Sequence, residues 1–192
     1  MSKGLLLVVS GPSGSGKTTV LTALTKKRPD ETRFSVSSTT RSPRPGEING
    51  AHYNFVSREE FIESRDAECF LEWAEYAGNF YGTPADLVTR QINAGKTVIL
   101  DIELRGALQV RDKYPQAILC CLWPGSFEEL ERRLRGRGTD TEEGIANRLE
   151  IAKKDYAFEN EYKYVIINNT VEQTVCELEA IIDGERAGLE SL

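Results

Sequence analysis

A glycine-rich turn near the start of the chain carries a lysine and a threonine at the spacing that binds polyphosphates. It fills every fixed position of the pattern G-x-x-x-x-G-K-[ST], which ends at Lys17 and Thr18. Glycines let the backbone turn its N–H groups towards phosphate oxygens, the lysine reaches the terminal phosphates, and the threonine hydroxyl ligates Mg²⁺. The pattern therefore predicts a site for a nucleoside triphosphate and Mg²⁺. Its residues are Gly11, Pro12, Ser13, Gly14, Ser15, Gly16, Lys17, Thr18 and Thr19.

A pair of arginines follows in a segment that prolines stiffen. Arg41 and Arg44 stand three residues apart, and Pro43 and Pro45 flank the second of them. A guanidinium is planar, always charged and suited to bidentate contacts with phosphate, so the pair could clamp an anion. A solvated basic loop is the alternative, and the residues alone leave both readings open.

Asp101 ends an apolar run that begins at Thr97. Such a run predicts a buried parallel strand, and ligands of open α/β sheets gather at the carboxyl ends of the strands. Asp101 is therefore expected beside the phosphate-binding turn, as a carboxylate on the Mg²⁺ side or on the substrate side. The alternative is a cap for the helix that follows.

Two predicted helices, at 127–135 and 143–156, are joined by a turn that carries Arg137 between two glycines. A capping pattern precedes each helix. An arginine in a mobile turn can swing onto a phosphate, and Arg148 lies on the second helix. The other arginines of this hairpin are expected to form surface ion pairs with neighbouring glutamates. They are Arg132, Arg133 and Arg135.

These residues require a scaffold in which strands alternate with helices. The alternation predicts a three-layer α/β domain with a mostly parallel sheet. The last helix has one apolar face starting at Val171, and residues 188–192 are expected to fray. The predicted buried strands cover residues 5–10, 97–101, 118–123 and 164–167.

A small, mainly β insertion is predicted between the first helix and the second of these strands. Asn49 and Gly50 indicate a hairpin turn. Residues 78–82 indicate another turn, after which Thr83 is expected to cap a helix that starts at Pro84.

Composition limits the classes of function. The chain has 192 residues and a formal net charge of -6 at pH 7, which fits one well-cored domain and argues against a nucleic-acid partner. No apolar run is long enough for a membrane span and no targeting region precedes the first strand, so a cytoplasmic protein is expected. The four cysteines lack metal-binding spacing and are expected to be buried, reduced thiols. Monomer and dimer both remain open.

Three phrases are more specific than the phosphate-binding turn alone. They are S-G-P-S-G-S-G-K-T at 10–18, V-S-S-T-T-R-S-P-R-P-G-E at 36–47 and G-R-G-T at 136–139. Together they resemble the guanylate kinase family, and the resemblance runs from about Leu5 to Glu185. It implies ATP-dependent phosphorylation of GMP to GDP with Mg²⁺. The implied fold is a P-loop NTPase core with an inserted GMP-binding subdomain and a mobile helical lid.

The resemblance also implies boundaries and roles for individual residues. The core would cover about 1–35, 87–126 and 158–192, the GMP-binding subdomain about 36–86, and the lid about 127–157. The side chains implied to hold the GMP phosphate are Arg41, Arg44, Tyr53 and Tyr81. Those implied to read guanine are Ser37, Glu72 and Thr83, with Asp101 nearby. The catalytic residues would be Lys17, Arg41, Arg137 and Arg148.

The chemistry of guanine fits an ionised carboxylate. Guanine presents N1–H and an exocyclic N2 amine side by side, so the carboxylate of Glu72 can accept from both. Adenine has an acceptor at N1 and no amine at C2. A site built to hydrogen-bond a substrate group can reject the analogue lacking it by about 10⁴–10⁵. GMP is thus expected over AMP, and tolerance of dGMP stays open.

Three other readings compete with this one. A non-catalytic interaction module with a guanylate-kinase-like fold typically lacks an intact phosphate loop, whereas Lys17, Thr18 and Arg41 are present here. A GTPase would need a motif such as N-K-x-D, which this sequence lacks. A kinase for another small molecule is disfavoured by Ser37 and Glu72, although only through the resemblance.

Overall fold

A computed structural model describes residues 4–76, 78–136, 138 and 141–191. Within these ranges the strands and helices alternate along most of the chain. The strands are β1 (Leu5–Ser10), β2 (Thr32–Phe34), β3 (Ser38–Thr39), β4 (Asn54–Phe55), β5 (Phe70–Tyr76), β6 (Asn79–Pro84), β7 (Thr97–Asp101), β8 (Ile118–Trp123) and β9 (Tyr164–Ile167). The α-helices are α1 (Lys17–Lys27), α2 (Arg58–Asp66), α3 (Ala85–Asn93), α4 (Leu104–Lys113), α5 (Phe127–Gly136), α6 (Glu142–Tyr156) and α7 (Val171–Glu190).

The larger sheet has five parallel strands in the order β2-β7-β1-β8-β9. Its central strand, β1, is buried along its whole length. Because side chains alternate across a strand, Leu5, Leu7 and Val9 pack against α1 and α7, whereas Leu6 and Val8 pack against α3 and α4. Helices thus cover both faces of the sheet, and the predicted three-layer α/β architecture is confirmed.

The smaller sheet has the order β4-β3-β6-β5 and lies between β2 and α3 in the chain. Its β5 and β6 are antiparallel, with Glu72 opposite Thr83 and Trp73 opposite Gly82. Phe61 of α2 is fully buried against the aromatic rings of this sheet. The segment has its own small core, as expected for an insertion.

One local prediction in the insertion, that of a hairpin, is wrong. The turn at Asn49 and Gly50 does not join a hairpin, since β4 pairs in parallel with β3. The Asn49 side chain instead accepts a hydrogen bond from the backbone N–H of Phe55, which holds the loop against β4.

Of the turn predicted at 78–82, only Gly78 is confirmed as a turn residue, with a φ angle of 75°, and the predicted helix cap at Thr83 is wrong. Residues Asn79–Pro84 form β6, and α3 starts at Ala85 with Pro84 as the residue before it. Thr83 stays in the strand because its hydroxyl donates to the Glu72 carboxylate across the sheet.

The C-terminal segment and the cysteines also differ from what the sequence predicted. The helix α7 continues to Glu190, through much of the segment expected to fray. Cys120 and Cys121 are buried in β8, but Cys69 and Cys176 are exposed, so only half of the thiols fit the prediction of burial. Among the described residues, none of the helices combines the length and the apolar character needed to cross a bilayer.

Candidate active site

The glycine-rich turn joins the carboxyl end of β1 to the start of α1. Gly11, Gly14 and Gly16 have φ angles of 143°, 101° and 91°, a range that side chains other than glycine's rarely adopt. At Gly11 a Cβ would also lie 2.2 Å from the carbonyl oxygen of Leu122. Gly16 precedes α1 and supplies no side-chain cap, so the first N–H groups of the helix can serve an anion.

Lys17 is the first residue of α1 and folds back over the turn. Its Nζ donates to the carbonyl oxygen of Gly11 at 2.6 Å and lies 3.4 Å from that of Pro12. The ammonium group is thereby held next to the N–H groups that would surround a phosphate. This is the position expected of a lysine that binds terminal phosphates.

Thr18 and Asp101 meet at the end of the sheet. The Thr18 hydroxyl donates to Asp101 Oδ2 over 3.4 Å. Asp101 lies opposite Val9 near the end of β1, so β7 ends beside the turn that leads into α1. The Asp101 side chain is open to solvent, yet the surrounding protein atoms desolvate its carboxylate and raise its pKa, and the charge of Lys17 opposes that rise. The residue before α4 is Glu103, so Asp101 is not its cap.

The segment that carries the two arginines closes on an acidic partner. Glu47 accepts two hydrogen bonds from the guanidinium of Arg41, at 2.8 and 2.9 Å, and one from the backbone N–H of Arg44, at 2.7 Å. These bonds, with that of Arg41 as the largest contribution, lower the pKa of Glu47 to about 2. The loop is ordered by this pairing. Arg44 bonds to Glu47 through its backbone, and its exposed side chain acts on Glu47 through its charge.

Two tyrosines stand beside the Arg41 guanidinium. The guanidinium lies 5.5 Å from the centre of the Tyr53 ring, and the rings of Tyr53 and Tyr81 are 6.1 Å apart. Hydrogen bonding to Tyr81 also contributes to the raised pKa of Arg41, after Glu47. The fold thus groups Arg41, Tyr53 and Tyr81 into one cluster.

A buried carboxylate lies on the same small sheet. Glu72 of β5 is 6% exposed, and its Oε1 accepts a 2.6 Å hydrogen bond from the Thr83 hydroxyl. Burial raises the pKa of Glu72, and the bond to Thr83 opposes the rise. Ser37 is half-buried just before β3, and its carbonyl oxygen accepts from the N–H of Asn54.

Replacing Glu72 with glutamine should raise the melting temperature at about pH 8, and this gain should shrink towards about pH 4. Because the folded-state pKa of Glu72 is raised, the wild-type fold loses stability as the pH rises from the unfolded to the folded pKa. Glutamine keeps an acceptor for Thr83 and does not titrate. Thermal unfolding of both proteins across this pH range is the measurement. An unchanging difference in melting temperature would contradict the expectation.

Arg148 reaches the phosphate-binding turn from α6. Its NH1 donates to the Ser13 hydroxyl at 2.7 Å. The helical hairpin therefore contacts the turn through this arginine. Arg137, the other arginine assigned to the lid, lies outside the described residues.

The surface pairing predicted for the remaining arginines of the hairpin is confirmed for Arg132 and Arg135, whereas Arg133 pairs with a glutamate but its side chain is only 22% exposed. Arg132 and Arg133 both pair with Glu129, and Arg135 pairs with Glu131 and Glu142. Arg133 also donates to the carbonyl oxygens of Ser15, at 3.4 Å, and of Asn168, at 2.7 Å, which are two contacts that sequence reasoning missed.

A polar group beneath the phosphate-binding turn was not predicted. Asn168, just after β9, donates from Nδ2 to the carbonyl oxygen of Ser15 at 2.6 Å. Its Oδ1 accepts from the Thr174 hydroxyl, and its carbonyl oxygen accepts from Arg133. A Cβ at Gly16 would lie 2.5 Å from Asn168 Nδ2. Asn168 thus fixes the Ser15 peptide on the side of the turn that faces the core. The available sequence signal for this role was its position directly after a predicted parallel strand.

Glu47 was the second functional residue that sequence reasoning missed. Its signal was a carboxylate six residues from Arg41 in the same short loop. The expected groups themselves come together in two clusters, one at the phosphate-binding turn and one on the small sheet.

Comparisons with known proteins agree with this arrangement. The family model described as guanylate kinase matches residues 3–185. A guanylate kinase of Synechococcus sp. (strain JA-3-3Ab) is 50% identical over 181 residues, which are 94% of this chain and 83% of the relative. One of Halalkalibacterium halodurans is 47% identical over 190 residues, which are 99% of this chain and 93% of the relative.

A solved structure is also similar. The crystal structure of guanylate kinase from Anaplasma phagocytophilum superposes with a TM-score of 0.74 at 32% sequence identity. The match covers 97% of this chain and 88% of that one.

Proposed function

The chain belongs to the guanylate kinase family and phosphorylates GMP to GDP with ATP as donor, and from this premise we propose which side chains do the work. The observation that carries the proposal is the buried Glu72 carboxylate, bonded to Thr83 on the small sheet. A carboxylate is costly to bury without a partner for its remaining acceptor sites. The N1–H and N2 amine of guanine supply such partners.

We assign the guanine site to the small sheet and the strand end beside it. Glu72 accepts from N1–H and N2, Ser37 and Thr83 offer hydroxyls, and Asp101 lies at the neighbouring edge of the large sheet. Support for Glu72 and Thr83 comes from their opposed positions in β5 and β6. Support for Asp101 comes from its exposed side chain at the end of β7.

The GMP phosphate is assigned to Arg41, Arg44, Tyr53 and Tyr81. The cluster of Arg41 with the two tyrosines supports this role, since phenol hydroxyls and a guanidinium all donate to phosphate. Arg41 keeps further N–H donors beyond those bound by Glu47. The exposed Arg44 side chain can move to join them.

ATP is assigned to the turn from Gly11 to Thr19, where backbone N–H groups and Lys17 face the phosphates. Mg²⁺ would be held by the Thr18 hydroxyl together with phosphate oxygens. A hydroxyl 3.4 Å from a carboxylate is an oxygen donor set that suits this ion. Within the described ranges no cluster of three acidic, histidine or cysteine residues could hold a metal, which fits an ion carried by the nucleotide. Bound there, Mg²⁺ neutralises charge on the phosphates.

The chain's own contribution is positioning and charge. A GMP phosphate oxygen forms a bond to the γ-phosphorus of ATP while the bond to the β–γ bridging oxygen breaks, and ADP leaves with that electron pair. Lys17 and Arg148 stabilise charge on the transferring oxygens, and Arg137 is assigned the same task. No residue is phosphorylated in this scheme, because alignment and electrostatics suffice for such transfers.

Replacing Glu47 with glutamine should raise the KM for GMP about tenfold while changing the KM for ATP little. Glutamine cannot form the charged, bidentate pair in which the Arg41 guanidinium donates to the two Glu47 carboxylate oxygens at 2.8 and 2.9 Å. Charge-assisted, bidentate pairs of this kind are stronger and more directional than neutral hydrogen bonds. Initial rates with each nucleotide varied in turn test this.

A matched control is Glu59→Gln on α2, since Glu59 is an exposed glutamate of the same subdomain. A GMP KM that stays at the wild-type value in the Glu47 variant would remove Glu47 from the phosphate site.

The assignments as a whole are tested by coupled measurement of ADP release with GMP, AMP, CMP and UMP in turn. We expect turnover with GMP alone, and loss of that turnover in Lys17→Ala. Equal rates with GMP and AMP would reject the guanine site.

We also assign the enzyme to the cytoplasm, which the four free thiols support because reducing compartments keep cysteines unpaired.

A further inference from the structure

One face of α4 runs along the outer edge of β5. Gly106, Gln109 and Lys113 share this face, since residues spaced by three and four positions are neighbours on a helix. In the small sheet, β5 is the last strand, so its edge away from β6 has no further strand beside it among the described residues. A helix of the core therefore takes the place of a neighbouring strand.

The Gln109 side chain binds the backbone of β5 as a peptide group would. Its Oε1 accepts from the N–H of Trp73 at 3.2 Å, and its Nε2 donates to the carbonyl oxygen of Trp73 at 3.1 Å. Nearby, Lys113 Nζ donates to the carbonyl oxygen of Phe70 at 2.8 Å. Side chains of α4 thus bind the backbone of β5 on both sides of Glu72, at Phe70 and at Trp73.

Gly106 lies against the Glu72 carboxylate itself. A Cβ on this glycine would be 2.9 Å from Glu72 Oε2 and 3.4 Å from its Cδ. The φ angle of Gly106 is not in the left-handed region, so backbone conformation does not require glycine there. The space left by its missing side chain is instead filled by the carboxylate.

We propose that Gly106 and Gln109 are positioning residues for specificity, because together they fix the Glu72 carboxylate relative to the core. This inference rests on the proposed role of Glu72 in reading guanine. Thr83 holds Oε1 from the sheet, Gly106 leaves room for Oε2, and Gln109 fixes the next residue of the strand. The carboxylate is therefore set before guanine arrives.

A positioning role predicts a change in base discrimination that a general packing role does not. Inosine monophosphate, IMP, keeps the N1–H and O6 of guanine and lacks the N2 amine. The ratio of kcat/KM for GMP to that for IMP thus reports how well Glu72 meets the amine. A partly unfolded enzyme would lose activity with both substrates equally and leave the ratio unchanged.

The test measures this ratio in Gln109→Ala, Gly106→Ala and Glu72→Gln, with Gln91→Ala as control. Gln91 is an exposed helical glutamine on α3. We expect the ratio to fall about tenfold in the Gln109 and Gly106 variants, which corresponds to about 1.4 kcal/mol. The KM for ATP should stay within about twofold of wild type. Gln109→Glu, which keeps the acceptor for the Trp73 N–H and loses the donor, should also lower the ratio.

The outcomes separate the two levels of inference. A wild-type ratio in both Gly106→Ala and Gln109→Ala, with a lowered ratio in Glu72→Gln, would overturn the positioning role alone. A wild-type ratio in Glu72→Gln would overturn the assignment of Glu72. Because alanine favours the helix at position 106, the Gly106 variant is expected to fold even if removal of Gln109 loosens β5.

Discussion

Replacing Lys17 with alanine should lower kcat by at least about 10³-fold without unfolding the protein. The Lys17 ammonium is held 2.6 Å from the carbonyl oxygen of Gly11, inside the turn assigned to the phosphates. Its charge would act where negative charge must be neutralised during transfer. Single-turnover rates with saturating GMP and ATP measure the effect on the chemical step.

A lysine on the same helix supplies the matched control for this variant. Lys26 is exposed on α1, and Lys26→Ala should retain wild-type kcat and melting temperature. Turnover by Lys17→Ala at a rate near that of Lys26→Ala would exclude the assigned role.

The second large effect is expected for Arg148→Ala, with a fall in kcat of about 10³-fold and little change in either KM. From α6 its guanidinium binds the Ser13 hydroxyl at 2.7 Å, so it approaches the turn from the side of the helical hairpin. An arginine that acts mainly on the transition state lowers kcat and kcat/KM together. Steady-state kinetics with both substrates varied distinguish this pattern from weakened binding.

Arg132→Ala is the control for that experiment. The Arg132 side chain is 73% exposed and pairs with Glu129 on the outer surface of α5. It should change kcat by less than about twofold, since exposed pairs contribute little. A variant of Arg148 whose kcat matches that of the Arg132 variant would remove Arg148 from the transfer step.

The core of the fold could be predicted because its strands are buried on both faces. β1, β7, β8 and β9 have the predicted bounds, as apolar runs between helices indicate parallel strands directly. The phosphate-binding turn was equally clear, because its backbone conformation requires glycines at fixed places. Local sequence therefore determined both the strand ends and the turn that joins them.

The small sheet was harder to predict, for a physical reason. Its β3 and β4 have two residues each, so no hydrophobic period could be recognised. The signals that were present favoured turns, at Asn49 and at Gly78. Pairing between strands decided the local structure. Thr83 lies opposite Glu72 of β5, and its hydroxyl donates to the Glu72 carboxylate.

The supporting residues of the site were missed because their partners are distant in sequence. Asn168 and Ser15 are 153 residues apart, and Gln109 and Trp73 are 36 apart. An asparagine after a strand or a glutamine on a helix is common, and only the folded chain shows which carbonyl group it binds. The residues assigned to contact the substrates follow from motifs, whereas the residues that support those side chains follow from packing.

Burial divides the thiols of this protein into two classes for chemical labelling. Burial raises the pKa of Cys120 to about 12 and that of Cys121 to about 11, so neither is a reactive thiolate at neutral pH. Cys69 and Cys176 are exposed, the first just before β5 and the second on α7. Maleimide dyes should therefore attach to the small sheet and to the core of the unmodified chain. Energy transfer between the two dyes would then report the distance between the small sheet and α7, with and without nucleotides, and with no engineered cysteine.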